Sequence, residues 1–254
     1  MKLTLTHTLT CSLTSPARAV EHLLLTALST PQQRVERWSI ELPGFAEAAT
    51  FRDGFGNKAH LVSQVKPGET LTVKVTGTVE TIDKAGVIGR LEYDPPPALF
   101  RRPTDLTKPD PALLEGLPTG SGRIALLHEL MGRIHEELGA PSQSQTAEGQ
   151  EQSLGSTDPV SHAHAFIAAA RALDIPARYV TGYLFDDGTG SFHAWAEAFD
   201  EGLGWIGFDP VLDVCPAEGY IRLASGLDAT GTMPIRMVPV WTEMPVETVE
   251  IIEG

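Results

Sequence analysis

Leu3, Leu5, His7, Leu9, Cys11 and Leu13 alternate with Thr4, Thr6, Thr8, Thr10 and Ser12. A strict period of two predicts a strand with one face in a core. The alternation returns in TLTVKVTGTVE, where Leu71, Val73, Val75 and Val79 share the inner face. Between these runs RWSIEL reads as a further strand. In TFRDGFGNKAHLVSQV the DGFGN stretch supplies turn chemistry between two extended segments. The period then lengthens. In GSGRIALLHELMGRIHEEL, Ile124, Leu127, Met131, Ile134 and Leu138 recur every three or four residues and predict an amphipathic helix. A second helix is predicted from residue 159 to about 173. Strands follow at IPARYVTGYLF, SFHAWAEAF and GWIGFDP, with shorter ones from YIRLASG to the C-terminus. Trp241, Val246, Val249 and Ile251 are core candidates there.

This order of elements predicts an α+β protein. Residues 1–82 form an N-terminal antiparallel β domain, residues 83–120 a proline-rich connector, and residues 121–254 a core of helices on an antiparallel sheet. The polar stretch 140–156 reads as a loop. Composition narrows the function. With 19 Lys and Arg against 33 Asp and Glu, the formal net charge is −14, which disfavours nucleic acid and anionic membrane as partners. The first residues lack the continuous apolar run of a signal peptide, and no stretch has the length of a transmembrane helix, so a cytoplasmic setting is expected. The two cysteines, Cys11 and Cys215, form no paired motif. Cys11 falls on the apolar face of the first strand and reads as a core thiol. His128 and His135 share a helix flank without a visible third ligand, so no metal and no cofactor are expected.

The segments IPARYVTGYL, SFHAWAEAF and GWIGFDP, in this order, resemble the transglutaminase-like superfamily in its bacterial form with an N-terminal β domain. The likeness extends to TPQQRVERWSIEL, the DGFGN turn, RRPTDLTKPDPAL and YIRLASGLDATGTMPIR. The resemblance implies a papain-like core in which a cysteine thiolate attacks, a histidine carries protons, and an aspartate orients the imidazole. The histidine position falls on His193 and the aspartate on Asp209. The cysteine position does not hold cysteine. Family members resemble G-x-C-Q-D-x-A-H at the helix start, and the ungapped HAHAFIAAARALDIPARYV fixes the register. Pro159 then stands at the nucleophile, Val160 at the glutamine and Ser161 at the aspartate. Proline brings neither a thiol nor an N–H that could donate to an oxyanion. Asp158-Pro159 is nonetheless a favourable helix opening, because Asp caps the free amides and Pro presets φ at the first helical position.

The expectation is therefore a pseudoenzyme with a vestigial His193–Asp209 pair, acting by binding a peptide or protein segment or an active relative. Asp158, His162 and Trp195 are expected at the binding cleft, with Tyr183, Glu197 and Trp205 flanking it. His164 and Arg178 read as structural, the latter as an ion-pair partner. The alternative is a hydrolase of peptide or isopeptide bonds whose nucleophile is Ser156, Thr157 or Cys215, working with His193 and Asp209.

Overall fold

The computed structural model describes residues 1–14, 16–118, 120, 122–139 and 158–254. The alternating segments form strands β1 (Lys2–Ser12), β2 (Arg18–Leu23), β3 (Gln33–Glu41), β4 (Ala49–Arg52), β5 (Lys58–Val65) and β6 (Thr70–Thr81). The first strand obeys its period: Leu3, Leu5, His7, Leu9 and Cys11 are buried and the threonines between them partly exposed. DGFGN joins β4 to β5, where the Asp53 side chain accepts from the N–H groups of Phe55 and Asn57. β2 was not anticipated. It is six residues long, and its inward positions are Ala19, Glu21 and Leu23, so an inward carboxylate interrupts the apolar row.

Downstream come β7 (Val87–Gly89), helix α1 (Arg123–Leu138), helix α2 (Pro159–Ala172), β8 (Ala177–Asp186), β9 (Thr189–Asp200), β10 (Gly204–Phe208), β11 (Tyr220–Gly226), β12 (Ile235–Val238) and β13 (Val246–Glu253). Among the described residues these strands form three sheets, ordered β13-β1-β6-β3, β12-β2-β5-β4 and β11-β8-β9-β10-β7. The first two share one hydrophobic core, with Leu3, Leu5 and Val75 from one sheet and Leu23, Val62 and Met237 from the other. They are the halves of an antiparallel sandwich.

This topology corrects the expected domain boundaries twice. β12 and β13 were assigned to the core domain, yet β12 pairs with β2 and β13 with β1, so both complete the N-terminal sandwich. Without β13 the edge of β1 would present unpaired backbone groups. The connector, in turn, contributes β7 to the core sheet as the partner of β10. Ile251 enters the sandwich core, whereas Val246 on the same strand remains 68% exposed.

In the core, α2 covers the sheet face built by Ala177, Tyr179, Ala194, Ala196 and Ala198. The small side chains on β9 let a helix approach closely, and α1 packs against α2 through Leu127, Leu130, Met131 and Ile134. Ile124 and Leu138, at the ends of α1, are exposed instead. A buried bond ties the sandwich to the core: His7 Nδ1 lies 2.9 Å from the Tyr183 hydroxyl, and its Nε2 is 2.8 Å from Glu247.

Candidate functional site

α2 opens as its first residues dictate. Asp158 is the N-cap in extended conformation, and Pro159 is the first helical residue. The Asp158 carboxylate accepts from Val160 N–H at 3.0 Å, Ser161 N–H at 3.2 Å and the Ser161 hydroxyl at 2.8 Å. Pro159 has no N–H, so the first turn leaves three otherwise unpaired amides, and two of them are thereby satisfied. His162, one turn on, is buried. Its Nδ1 is 3.0 Å from the Asp158 carbonyl and its Nε2 3.3 Å from the Gly139 carbonyl at the end of α1. The ring braces the helix start to backbone on both sides.

His164 is also buried. Its Nε2 accepts from Ala229 N–H at 3.0 Å, and the ring packs on Tyr179. Burial pushes the imidazole below its ordinary value, against the opposing pull of Asp228 and Asp158. It therefore serves as a neutral acceptor. His162 and His164 hold to different backbone segments, in keeping with the roughly 200° between positions i and i+2 on a helix.

His193 lies in β9 and Asp209 just beyond β10, and the hairpin joining these strands sets them together. His193 Nε2 is 2.7 Å from Asp209 Oδ2, and Asp209 is wholly buried. Asp209 Oδ1 accepts from the N–H of Val211 at 3.0 Å. A third donor was not foreseen: the Tyr220 hydroxyl, at the start of β11, donates to the same Oδ2 at 2.7 Å. Burial and then Asp209 push that phenol far above its ordinary value, so it remains a donor. The likeness of YIRLASGLDATGTMPIR gave Tyr220 no site role; β11 is separated from β10 by β8 and β9, and the Tyr220 side chain reaches Asp209 alongside His193 and Trp195. Nε2, facing the Asp209 carboxyl, is the donor of this contact, and in a neutral imidazole Nδ1 is then the acceptor. Among the described residues, Nδ1 has no hydrogen-bond partner.

Trp195 stacks at 6.4 Å beside the imidazole and meets Tyr220 edge-on at 5.5 Å. It is 2% exposed and packs over Gly182, where an added Cβ would collide with the indole. Trp195 is therefore the wall behind His193, not an open rim of a groove. Tyr183 is buried at the sandwich junction and Trp205 is buried against Phe100 and Phe199.

Four residues along β9 on the same face, Glu197 is buried between two guanidiniums. Arg178 reaches it at 2.5 Å and Arg222 at 2.7 Å, and Arg178 also holds Asp94 at 2.8 Å. Burial pulls the Glu197 carboxyl up, but Arg178 and Arg222 together hold it below the usual carboxylate range. This network secures the strand that carries His193 and gives Arg178 its ion-pair role.

The alternative nucleophiles are placed as follows. Ser156 and Thr157 lie outside the described residues. Cys215 is partly buried, and its Sγ is 3.7 Å from His128 Nε2, an imidazole of α1 and not that of His193. Burial, and then Asp213, push this thiol above its ordinary value, away from the thiolate that attack requires. His135 is occupied by the carbonyls of Pro210 and Val211.

Two family models match the chain. Residues 134–210 match the transglutaminase-like superfamily core, and residues 3–80 match the bacterial transglutaminase-like N-terminal region. Uncharacterised proteins from Mycobacterium tuberculosis and Mycobacterium bovis are each 26% identical over 239 residues, spanning 76% of this chain and 73% of theirs. Among solved structures, one described as a “putative cysteine protease” from Cytophaga hutchinsonii aligns with a TM-score of 0.75. It is 23% identical and covers 99% of this chain and 90% of its own, a likeness of fold.

Proposed function

This chain belongs to the transglutaminase-like superfamily, with the papain-like core and bacterial N-terminal region described above, and we propose that it has lost cysteine-nucleophile chemistry and works by binding a peptide or protein segment. The carrying observation is Pro159. It is the first residue of the helix, the place to which the register read from the sequence assigns the nucleophile, and a carboxylate caps that helix. A thiolate there would draw on the positive end of the helix, on its own amide and on the imidazole. Proline supplies no sulfur and no amide hydrogen. Asp158 has taken up part of the helix-end field by accepting two of its N–H groups.

The dyad has not been dismantled in parallel. His193 and Asp209 keep a 2.7 Å contact, with Tyr220 and the Val211 amide holding the carboxylate. Nδ1 of His193, left without a hydrogen-bond partner among the described residues, supports the binding reading, since in a neutral ring it would accept from an amide N–H of an extended peptide as readily as from a thiol.

The test combines reactivity with binding. Wild-type protein and His193→Ala are treated near neutral pH with iodoacetamide and with a fluorophosphonate, then read by intact mass and peptide mapping. The expected result is no adduct whose formation depends on His193. In parallel, a display library of peptides is selected on the wild-type protein, and the enriched peptides should lose affinity for His193→Ala. A fast, His193-dependent adduct on Cys215, Ser156 or Thr157 would instead establish a substituted nucleophile and overturn the proposal.

A further inference from the structure

A second candidate site lies away from His193, in the seam between the sandwich, the connector and the core sheet. A cavity of about 450 Å³ opens there. Its walls are supplied by the loop before β3 (Leu28, Pro31), the β4–β5 turn (Phe55) and the connector (Tyr93). The connector is pressed tightly onto the turn. Gly56 has φ +84°, and a Cβ there would come within 2.5 Å of the Tyr93 carbonyl oxygen. This close approach fixes one side of the cavity.

Three arginines line it: Arg52, Arg90 and Arg222. Each is held in place with donors to spare. Arg52 lies 3.6 Å over the Tyr93 ring and donates from Nη1 to the Gly56 carbonyl at 2.9 Å. Arg90 lies 4.7 Å over Phe199 and donates from Nη2 to the Glu201 carbonyl at 3.1 Å, with the Glu201 carboxylate at 3.9 Å. Arg222 gives Nε and Nη2 to Glu197. Among the described residues, Nη1 of Arg222, Nε and Nη2 of Arg52, and Nε and Nη1 of Arg90 have no hydrogen-bond partner.

The acids of the lining are Asp94 and Glu92. Asp94 is already engaged by Arg178 at 2.8 Å. Arg178 itself is fully buried behind the cavity, and its Nη2 has no partner. The lining thus sets three arginines against two acids, in a chain whose formal net charge is −14. A guanidinium whose orientation is already set loses little freedom on binding and matches carboxylate or phosphate oxygens in pairs. Seams between domains are common ligand sites, and this volume lies within the usual range of small-molecule pockets.

We propose that this cavity binds a small organic anion, its carboxylate or phosphate held by Arg52, Arg90 and Arg222 and a flat apolar body lying against Phe55, Leu28 and Pro31. Such a ligand would touch all three parts of the chain at once and stabilise their docking in proportion to its occupancy.

The test uses the full chain. Benzoate and adenosine monophosphate are titrated calorimetrically and by thermal shift, with benzamide and adenosine as their neutral counterparts. Arg52→Gln and Arg90→Gln alter exposed side chains; the loss of their ring and carbonyl contacts should lower the melting temperature of the unliganded protein slightly, and each variant's ligand-induced shift is read against its own unliganded baseline. At least one anion should bind while its neutral counterpart does not, and each substitution should weaken that binding by about tenfold. The response to benzoate against that to the nucleotide distinguishes carboxylate from phosphate recognition. Binding of neither anion, equal binding of the neutral molecules, or binding unchanged by both substitutions would each overturn the assignment.

Discussion

Returning a thiol to the start of α2 puts the proposed loss of chemistry to a quantitative test. In Pro159→Cys two structural terms change. The proline presets φ at the first helical position, so its removal frees the unfolded chain and should cost about 0.4–1 kcal/mol. For a chain of this size the melting temperature should fall by roughly 1–4 °C. The new cysteine also brings its own amide, one more donor at the helix end. The thiol pKa then reports on the neighbourhood. A helix N-terminus and a paired imidazole lower it from about 8.5 to 7.5 or less. The Asp158 carboxylate opposes this, because it is one residue away and already accepts from Val160 and Ser161. A net depression of about one unit is the expected balance, equivalent to about 1.4 kcal/mol. At pH 7 that raises the thiolate fraction about eightfold, but a less basic thiolate is also less nucleophilic, leaving roughly a threefold gain in alkylation rate. The titration midpoint is therefore the better readout. Iodoacetamide rates between pH 5 and 10 should give a midpoint near 7.5 in Pro159→Cys and nearer 8.5 in the double variant with His193→Ala. The linkage has a definite sign. A depressed thiol pKa adds stability that is complete above the unfolded value and lost as pH falls through the folded one. The stability deficit against wild type should thus narrow between pH 7 and 9. A thiol at 159 with an ordinary midpoint that His193→Ala leaves unmoved would refute the assignment of Pro159 to the nucleophile position.

Other consequences follow from the buried charges and the helix cap. Glu197→Gln leaves Arg178 and Arg222 without their shared carboxylate and should cost roughly 3–5 kcal/mol in urea denaturation. Because Arg178 and Arg222 hold the Glu197 pKa down against burial, its contribution is complete above the ordinary carboxylate range and lost as pH falls. The deficit of Glu197→Gln should therefore shrink below about pH 4; a deficit constant with pH would count against an ionised Glu197. Asp158→Ala removes the cap from two amides and should lower stability by about 1 kcal/mol while leaving the far-ultraviolet spectrum unchanged. Glu21 is the opposite case to Glu197. Burial raises its pKa and Oε2 has no partner among the described residues, so Glu21→Gln should stabilise the protein by about 1 kcal/mol at pH 8 and by less at pH 4.

Much of the architecture was legible along the chain because side-chain period reports local geometry. The alternation from Leu3 to Leu13 gave β1 and its buried face, and the three-to-four spacing of Leu127, Met131 and Ile134 gave the core side of α1. Asp158-Pro159 announced a helix opening, and the cap is formed by that pair. β2 was less visible because Glu21 sits where an apolar residue was expected.

Period says which way a side chain points but not what it meets, and there the tertiary structure decided. β13 pairs with β1 across nearly the whole chain, so the C-terminal residues add a strand to the N-terminal sandwich while Ile251 also packs against Gly190 of β9. Trp195 was readable as an aromatic next to a polar site, but only the packing over Gly182 and Tyr220 makes it an interior wall. The hydroxyl of Tyr220 on Asp209, the two guanidiniums on Glu197 and the three arginines around the seam all come from segments far apart in sequence. Local propensity acts over a few residues, whereas burying a charge requires partners delivered by the whole fold. The backbone pattern was accordingly written in the sequence, and the electrostatic settings of its sites were fixed only once the chain had folded.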